Sequence, residues 1–447
     1  MAGNKEKKQP PPTKLLHITQ TKIVETVFTA GQAAYAVYDK QTQQVEYAES
    51  FQGHLPMLKG DATARFVTFA SEASECGTDM ELHSEICAFI RRWVDVEEKY
   101  EKMAALYAMF TWVYDEFLEV PYLRVLADLG SGKTRLGLQI LGEICYRSFG
   151  TIAASSISPL FRTMDITGGT LILDEADMDN SDKNNEIIQM INSGYLKKSG
   201  VMMRSELGAG GKWMPRAYSV FGPKIIISRE SFKDSATESR CFTVKMRETK
   251  RDDLPYIIDE TLAAEGSQLR NKLLSWRFRS LGKCRARIDR SFEKFDVPAR
   301  MKQLLLLMSG TITDPAMTEV LRTLATSSVA DNAANRANSA AGEIAAIVVS
   351  FGRGAIVSCT DIAKVYNEDK PMTSEHKSAR GVGYFLREQL GLETKKISGD
   401  RKRRLSVQLT EEQMETLCRK FDITPPSIQQ PLISNPFNEP AVRYAKS

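Results

Sequence analysis

At 447 residues, with 42% hydrophobic and 26% charged residues, the chain has ordinary globular composition and enough apolar side chains for a full-sized core, arranged as two large domains or one with appendages. A formal net charge of +4 excludes a chain that is basic throughout, so any nucleic-acid surface must come from local clustering. The seven cysteines are scattered without a Cys-x-x-Cys pair or a His at ligand spacing, which argues for reduced thiols in a cytoplasmic protein and against a zinc site.

The opening "MAGNKEKKQPPPTK" is polar and Pro-rich, and no run approaches eighteen apolar residues. Residues 1–16 therefore read as a solvated basic tail, with neither secretion nor membrane spanning expected. "AAYAVYDKQTQQVEYAESF" alternates apolar and polar residues around a polar turn, which predicts a β-hairpin in a small N-terminal α+β module, residues 17–118. From Leu82 the spacing turns helical, with Ile86, Phe89, Ile90 and Trp93 on one face, and "MAALYAMFTWVYDEF" supplies a second apolar helix. Its aromatics Tyr107, Phe110, Trp112, Tyr114 and Phe117 could serve as a base-stacking platform, but large aromatics mostly bury, so core packing is the stronger expectation.

Short apolar runs then alternate with helical segments: "YLRVLAD", "GTIAAS", "GTLILDEAD", "KIIISRE" and "CFTVKM". This is the pattern of an α/β fold with a parallel sheet covered on both faces, placed at 119–246. A helical lid is predicted over 247–330, a linker over 331–342 in the small, polar "SSVADNAANRANSAAGE", a further module over 343–422 and a flexible tail over 423–447.

Within the α/β core, "LADLGSGKTR" approaches the phosphate-loop pattern G-x-x-x-x-G-K-[ST], with Ala127 where the first glycine stands. A strand precedes it and the amphipathic "KTRLGLQILGEICY" follows, so Lys133 and Thr134 fall at a helix N-terminus, where exposed N–H groups and the positive dipole end favour phosphate. Gly130, Ser131 and Gly132 form the turn, Lys133 reaches the β/γ oxygens of ATP, the Thr134 hydroxyl coordinates Mg²⁺, and Arg135 flanks the cofactor. An alanine at 127 is harmless if φ is negative and costs about 1 kcal/mol if φ is positive. About forty residues on, "GTLILDEAD" ends a buried strand in two carboxylates: Asp174 for the Mg²⁺ shell and Glu175 as general base for the attacking water. A surface turn followed by a plain strand-to-loop transition is the ordinary alternative.

Two families share these features. The "DEAD" tetrad at Asp174–Asp177 and "SAT" at Ser235–Thr237 resemble DEAD-box helicases, but the loop-to-carboxylate spacing is short and "SAT" lies too far downstream. The chain more closely resembles AAA+ ATPases. "VFGPKIIISRE" ends with Ser228 at the place of a polar γ-phosphate sensor, and "DSATESRCFTVKM" is similar to the Ser-Arg-Cys finger of clamp loaders and the Ser-Arg-Phe finger of minichromosome maintenance helicases. That resemblance implies that Arg240 is an arginine finger supplied by a neighbouring subunit of an oligomer, a hexamer by analogy, and that Arg300 in "VPARMKQLLLLM" is the lid's sensor arginine; a structural ion pair is the alternative for each. "VMMRSELGAGGKWMPRAYSVFGPK" reads as a hairpin inserted before the sensor strand, similar to the channel hairpin of minichromosome maintenance and superfamily 3 helicases, with Lys212 at its tip and Arg204, Trp213 and Arg216 beside it for single-stranded DNA. The phrases "PYLRVLADLGSGKTR", "SPLFRTMD" and "GTLILDEADMDNSD" also resemble ATPases of phage, plasmid and integrated-element origin.

The stretch 343–422 has the order of a winged helix. Its third helix offers His376, Lys377, Arg380 and Arg387, and its wing offers Lys395, Lys396, Arg401, Lys402, Arg403 and Arg404 to duplex DNA, unless it is a charged solvated or protein-docking module. The combined expectation is an ATP-hydrolysing, DNA-remodelling AAA+ protein, a helicase or replication initiator of a mobile element. The alternatives are a nucleotide-gated DNA-binding loader or regulator without unwinding, and a non-enzymatic interaction protein.

Overall fold

The computed structural model describes residues 13–57, 66–128, 130–152, 157–174, 182–208, 211–229, 232, 235–337, 339–368, 370, 376–398 and 403–425. They fall into two compact units, 1–326 and 327–447. Among the described residues no helix is long and apolar enough to cross a membrane.

The first unit opens with an antiparallel sheet of β1 (Leu16–Ile18), β2 (Lys22–Thr29), β3 (Gln32–Asp39) and β4 (Val45–Ala48), in that order. The hairpin expected from alternation is β3–β4, with Tyr38 opposite Val45. Two helices follow, α1 (Asp79–Trp93) and α2 (Glu98–Thr111). Thr78 and Glu81 cap α1 reciprocally, satisfying two N–H groups that the first turn leaves free. The α2 aromatics and those just after it are buried, so they form core and no stacking platform.

Five parallel strands make the central sheet: β5 (Tyr122–Leu126), β6 (Phe149–Ile152), β7 (Leu171–Asp174), β10 (Lys224–Ser228) and β11 (Cys241–Lys245), in the order β11-β5-β10-β7-β6. Their connections carry a π-helical stretch (Arg135–Ile140) running into α3 (Leu141–Ile144), α4 (Ile157–Thr167), α5 (Asp182–Ser193), the hairpin β8 (Val201–Leu207) and β9 (Trp213–Ser219), and α6 (Ser235–Glu238). The chain leaves β5 toward β6 at one edge and leaves β10 toward β11 at the other, although β5 and β10 are neighbours. Such a reversal opens a crevice at the carboxyl ends of the strands, where ligands of α/β sheets bind.

α7 (Glu260–Ser280), α8 (Ala299–Ser309) and α9 (Pro315–Ala337) complete the helical part. The N-terminal sheet does not stand apart as a module, because its residues share one core with the parallel sheet and α7. Glu25 of β2, buried, accepts hydrogen bonds from Tyr146 Oη (3.1 and 3.0 Å), Arg147 Nη2 (2.5 Å) and Arg277 Nε (2.5 Å), and Arg277 also grips Asp115 through two bonds of 2.9 and 2.8 Å. The predicted linker is largely helix: α9 continues to Ala337, and the boundary between units falls inside α9, after Thr326, ahead of the predicted linker. Its alanine content explains this, since alanine is the best helix former.

The second unit runs α10 (Ala340–Ser350), β12 (Ile356–Ser358), α11 (Cys359–Asn367), α12 (Ala379–Tyr384), β13 (Thr394–Ser398), β14 (Arg403–Gln408) and α13 (Glu411–Phe421). Its antiparallel sheet has the order β12-β14-β13 and covers its own apolar core.

Candidate functional site

The loop after β5 turns through Gly130 and Gly132, both at φ +80°, a conformation that suits glycine because it has no Cβ to clash. At Gly132 a Cβ would also meet Val94 Cγ2 at 3.3 Å. Ala127 keeps φ outside the left-handed region, so alanine costs no backbone strain there. Its N–H donates to the Ser228 carbonyl (3.3 Å), which ties the loop to the end of β10. Ser131 Oγ donates to the Asp128 carbonyl at 2.6 Å and closes the turn.

Lys133 starts the helix and is only 8% exposed. Its Nζ donates to the Ala127 carbonyl at 3.3 Å, and among the described residues no carboxylate pairs with it. A buried ammonium facing a neutral carbonyl at a helix N-terminus is receptive to an anion, because an uncompensated buried charge is costly. Thr134 Oγ1 donates to Asp174 Oδ1 at 3.3 Å, which joins the two motifs. Asp174 is buried at the end of β7, and Ser228, also buried, ends β10 opposite Leu126 of β5. Lys133, Thr134, Asp174 and Ser228 therefore meet at the carboxyl edge of the sheet, in the crevice beside the reversal. A hydroxyl and a carboxylate are hard oxygen donors that suit Mg²⁺, and the ammonium and turn suit a triphosphate. Glu175 lies outside the described residues.

Arg135 departs from expectation. Its Nη1 donates to the Pro255 carbonyl (2.7 Å) and its Nη2 to the Tyr256 carbonyl (2.8 Å), so its guanidinium clamps the segment after β11 and does not face the phosphate turn.

Arg240 precedes β11, and β11 runs parallel to β5 with Cys241 opposite Tyr122. It thus sits at the amino edge of the sheet, away from Lys133. Its Nη1 donates to Asn192 Oδ1, and its guanidinium lies 5.2 Å from the centre of the Tyr195 ring. Arg300 lies 5.1 Å from the same ring centre, so it belongs with Arg240 and does not cover the phosphate loop of its own chain. Arg270 of α7 is tied to Glu143 at 2.8 Å. Spacing carries no signal for Asn192 or Tyr195. The one signal for a neighbouring pair was an arginine inside the apolar strand "YLRVL": Arg124 holds Glu238 bidentately.

The hairpin β8–β9 forms, and both of its arginines are paired with carboxylates, although Arg216 stays exposed. Arg204 pairs with Glu186 at 3.1 Å, and Arg216 with Glu206 at 3.4 Å. Arg162 of α4 also holds Glu206, at 2.6 Å. Exposed beside Arg216 are Lys212 near the tip and Val201, Met203, Leu207 and Trp213, the last 72% exposed. In the second unit Arg380, Lys396 and Arg387 are exposed, and Arg387 donates to Thr394 at 3.0 Å. Lys377 is half-buried near Phe385, Lys395 is exposed beside Glu393, and Arg404 is 3.9 Å from Asp361. His376 Nε2 is 2.9 Å from the Lys370 carbonyl. Arg401 and Lys402 lie outside the described residues, and Arg403 is placed as the first residue of β14.

No protein-family model matches the chain, and no curated protein matches it. Among solved structures it is similar to the A form apo structure of the NrS-1 C-terminal region, at 10% identity and TM-score 0.38, over 86% of this chain and 96% of that one. It is also similar to a full-length MCM homolog from Methanopyrus kandleri (11% identity, TM-score 0.37, 70% of this chain and 75% of that one). A third is JCV helicase (11% identity, TM-score 0.28, 56% and 66%). Likenesses this faint leave function to be argued from the chain's own residues.

Proposed function

We propose that the chain is an ATP-hydrolysing, DNA-remodelling protein of AAA+ type, a helicase or replication initiator of a mobile element. The observation that carries this reading is the Thr134–Asp174 hydrogen bond, which joins residues 40 positions apart and brings two motifs to one carboxyl edge beside a buried, anion-receptive Lys133. Lys133 and the loop N–H groups hold the β- and γ-phosphates. Thr134 and Asp174 hold Mg²⁺, which would neutralise phosphate charge when bound. Glu175, next in sequence, takes the proton of the attacking water, and Ser228 orients the γ-phosphate. Arg240, with Arg300 beside it, serves the adjoining copy in a ring, most simply a hexamer, because strand polarity carries both away from their own loop. Helix order and sheet order in the second unit support a winged helix, with α12 and the β13–β14 wing meeting duplex DNA and the β8–β9 hairpin meeting a single strand.

The pairing of Arg204 with Glu186 and of Arg216 with Glu206 favours a second reading, a nucleotide-gated loader or regulator that grips the single strand weakly. Unwinding of a forked DNA under MgATP separates the two. The helicase reading expects strand separation that Lys133→Ala abolishes, whereas the switch reading expects hydrolysis without separation. If the wild-type chain, with or without DNA, releases phosphate no faster than Lys133→Ala, both readings are overturned.

A further inference from the structure

Arg240, half-buried, is held without a carboxylate partner among the described residues. Its neighbour in sequence, Glu238, is the nearest acidic side chain along the chain, and that carboxylate is already spent: Arg124 holds it through Nη1 and through Nη2 (2.6 Å), and the Phe232 N–H donates to it at 3.1 Å. Arg240 is left with neutral partners among the described residues, the Asn192 amide oxygen and the face of Tyr195. Its Nε is buried without a hydrogen bond. The partners are themselves fixed. Asn192, in the last turn of α5, also accepts from Thr237 Oγ1 at 3.0 Å. Tyr195 is 1% exposed and donates its hydroxyl to Glu119 at 2.8 Å. The Arg300 guanidinium on the same ring adds a second positive charge against that single carboxylate.

An arginine kept for stability takes a carboxylate, as Arg124 does. One kept for an incoming anion is better served by an aromatic face and a neutral acceptor, which restrict its rotamers while leaving its charge uncompensated. We infer that Asn192 and Tyr195 are positioning residues that hold Arg240 extended for the triphosphate of an adjoining copy. This rests on the function proposed above and adds to it the residues that ready the finger. They touch no nucleotide; they cut the side-chain freedom that Arg240 loses when it meets phosphate.

The test is a double-mutant cycle on the full chain, measuring steady-state ATP hydrolysis with DNA and, separately, the affinity for a fluorescent ATP analogue. Asn192→Ala is expected to lower kcat about ten-fold, equivalent to about 1.4 kcal/mol in the barrier, with KM and analogue affinity unchanged. Arg240→Ala and the double variant are expected to share one lower floor, because Asn192 has nothing left to position. Tyr195→Phe keeps the ring and most of the rate, while Tyr195→Leu behaves like Asn192→Ala. A wild-type kcat in Asn192→Ala, or an equal further loss when it is added to Arg240→Ala, overturns the inference alone. A wild-type kcat in Arg240→Ala overturns the finger itself and the inference with it. Asn192 is half-exposed at a helix end, so its variant keeps the test decisive even if Tyr195→Leu fails to fold.

Discussion

Lys224 gives the sharpest quantitative test of the fold. It opens β10 fully buried, with Nζ donating to the carbonyls of Val220 (2.9 Å) and Gly222 (3.1 Å) and lying 4.9 Å from the centre of the Tyr122 ring. Burial pushes its ammonium from 10.5 down to about 7. In the unfolded chain this lysine stays protonated until about pH 10.5, whereas in the fold it has released its proton above about pH 7. Between those values the unfolded state binds more protons, so stability rises with pH across the window and is flat below it. The whole drop corresponds to about 5 kcal/mol at ~1.4 kcal/mol per pH unit, a ceiling because the two carbonyls and the ring favour the charged form. From pH 7.0 to 8.5 the gain is about 1.6 kcal/mol. Lys224→Met keeps the length and removes the titration. All four tryptophans lie between residues 93 and 276, inside the first unit, so the urea midpoint of tryptophan fluorescence reports that unit alone. Wild type should gain about 1.6 kcal/mol more than the variant over this interval. Parallel pH profiles would refute the assignment of the titration to Lys224.

Glu25→Ala removes the anion shared by Arg147 and Arg277, and the same fluorescence midpoint should fall by about 3–5 kcal/mol, as when one partner of a buried ion cluster is lost. Trp213 is the one exposed tryptophan, the other three being buried. Single-stranded DNA should therefore quench its fluorescence, and Trp213→Ala should weaken that binding by about 1–3 kcal/mol in an anisotropy titration. If the β13–β14 hairpin is the duplex-binding wing proposed above, Lys396→Ala should weaken duplex binding similarly for all sequences and reduce the slope of log K against log salt by roughly one. Finally, if Arg240 serves an adjoining copy, phosphate release per chain should rise with protein concentration and level off as mass photometry shows assembly; a constant rate per chain at concentrations where the protein is monomeric contradicts that role.

Much of the core could be read from local pattern. "YLRVL", "TLILD" and "KIIIS" are apolar over the length of a buried strand, and they became β5, β7 and β10. Lys133, Thr134 and Asp174 were legible for the same reason, since a residue just past a strand, or at the first turn of a helix, is placed by its neighbours in sequence. What escaped depends on contacts between distant segments. Arg204 and Arg216 were read from sequence as charge for a single strand, but their carboxylate partners Glu186 and Glu206 are set only when the hairpin docks and its faces are chosen. Arg135 was misplaced by the same kind of contact, with Tyr256, and nothing local announces that Arg300 will lie against Tyr195. The N-terminal sheet looked like a separate module because nothing local announces that Glu25 will meet Arg277, 252 residues away.

One consequence of strand polarity organises the rest. β5 and β11 lie side by side and point the same way, and the chain reaches Lys133 after β5 but reaches Arg240 before β11. Five strand residues span about 13 Å, and Arg240 is further held back by Asn192 and Tyr195. An arginine side chain cannot cover that distance, so no rearrangement short of unfolding β11 would bring Arg240 to its own chain's Lys133. A parallel sheet that places its anion-receptive loop at one edge and its uncompensated arginines at the other is suited to pairing unlike edges of successive copies. That head-to-tail arrangement closes into a ring when the rotation between copies permits.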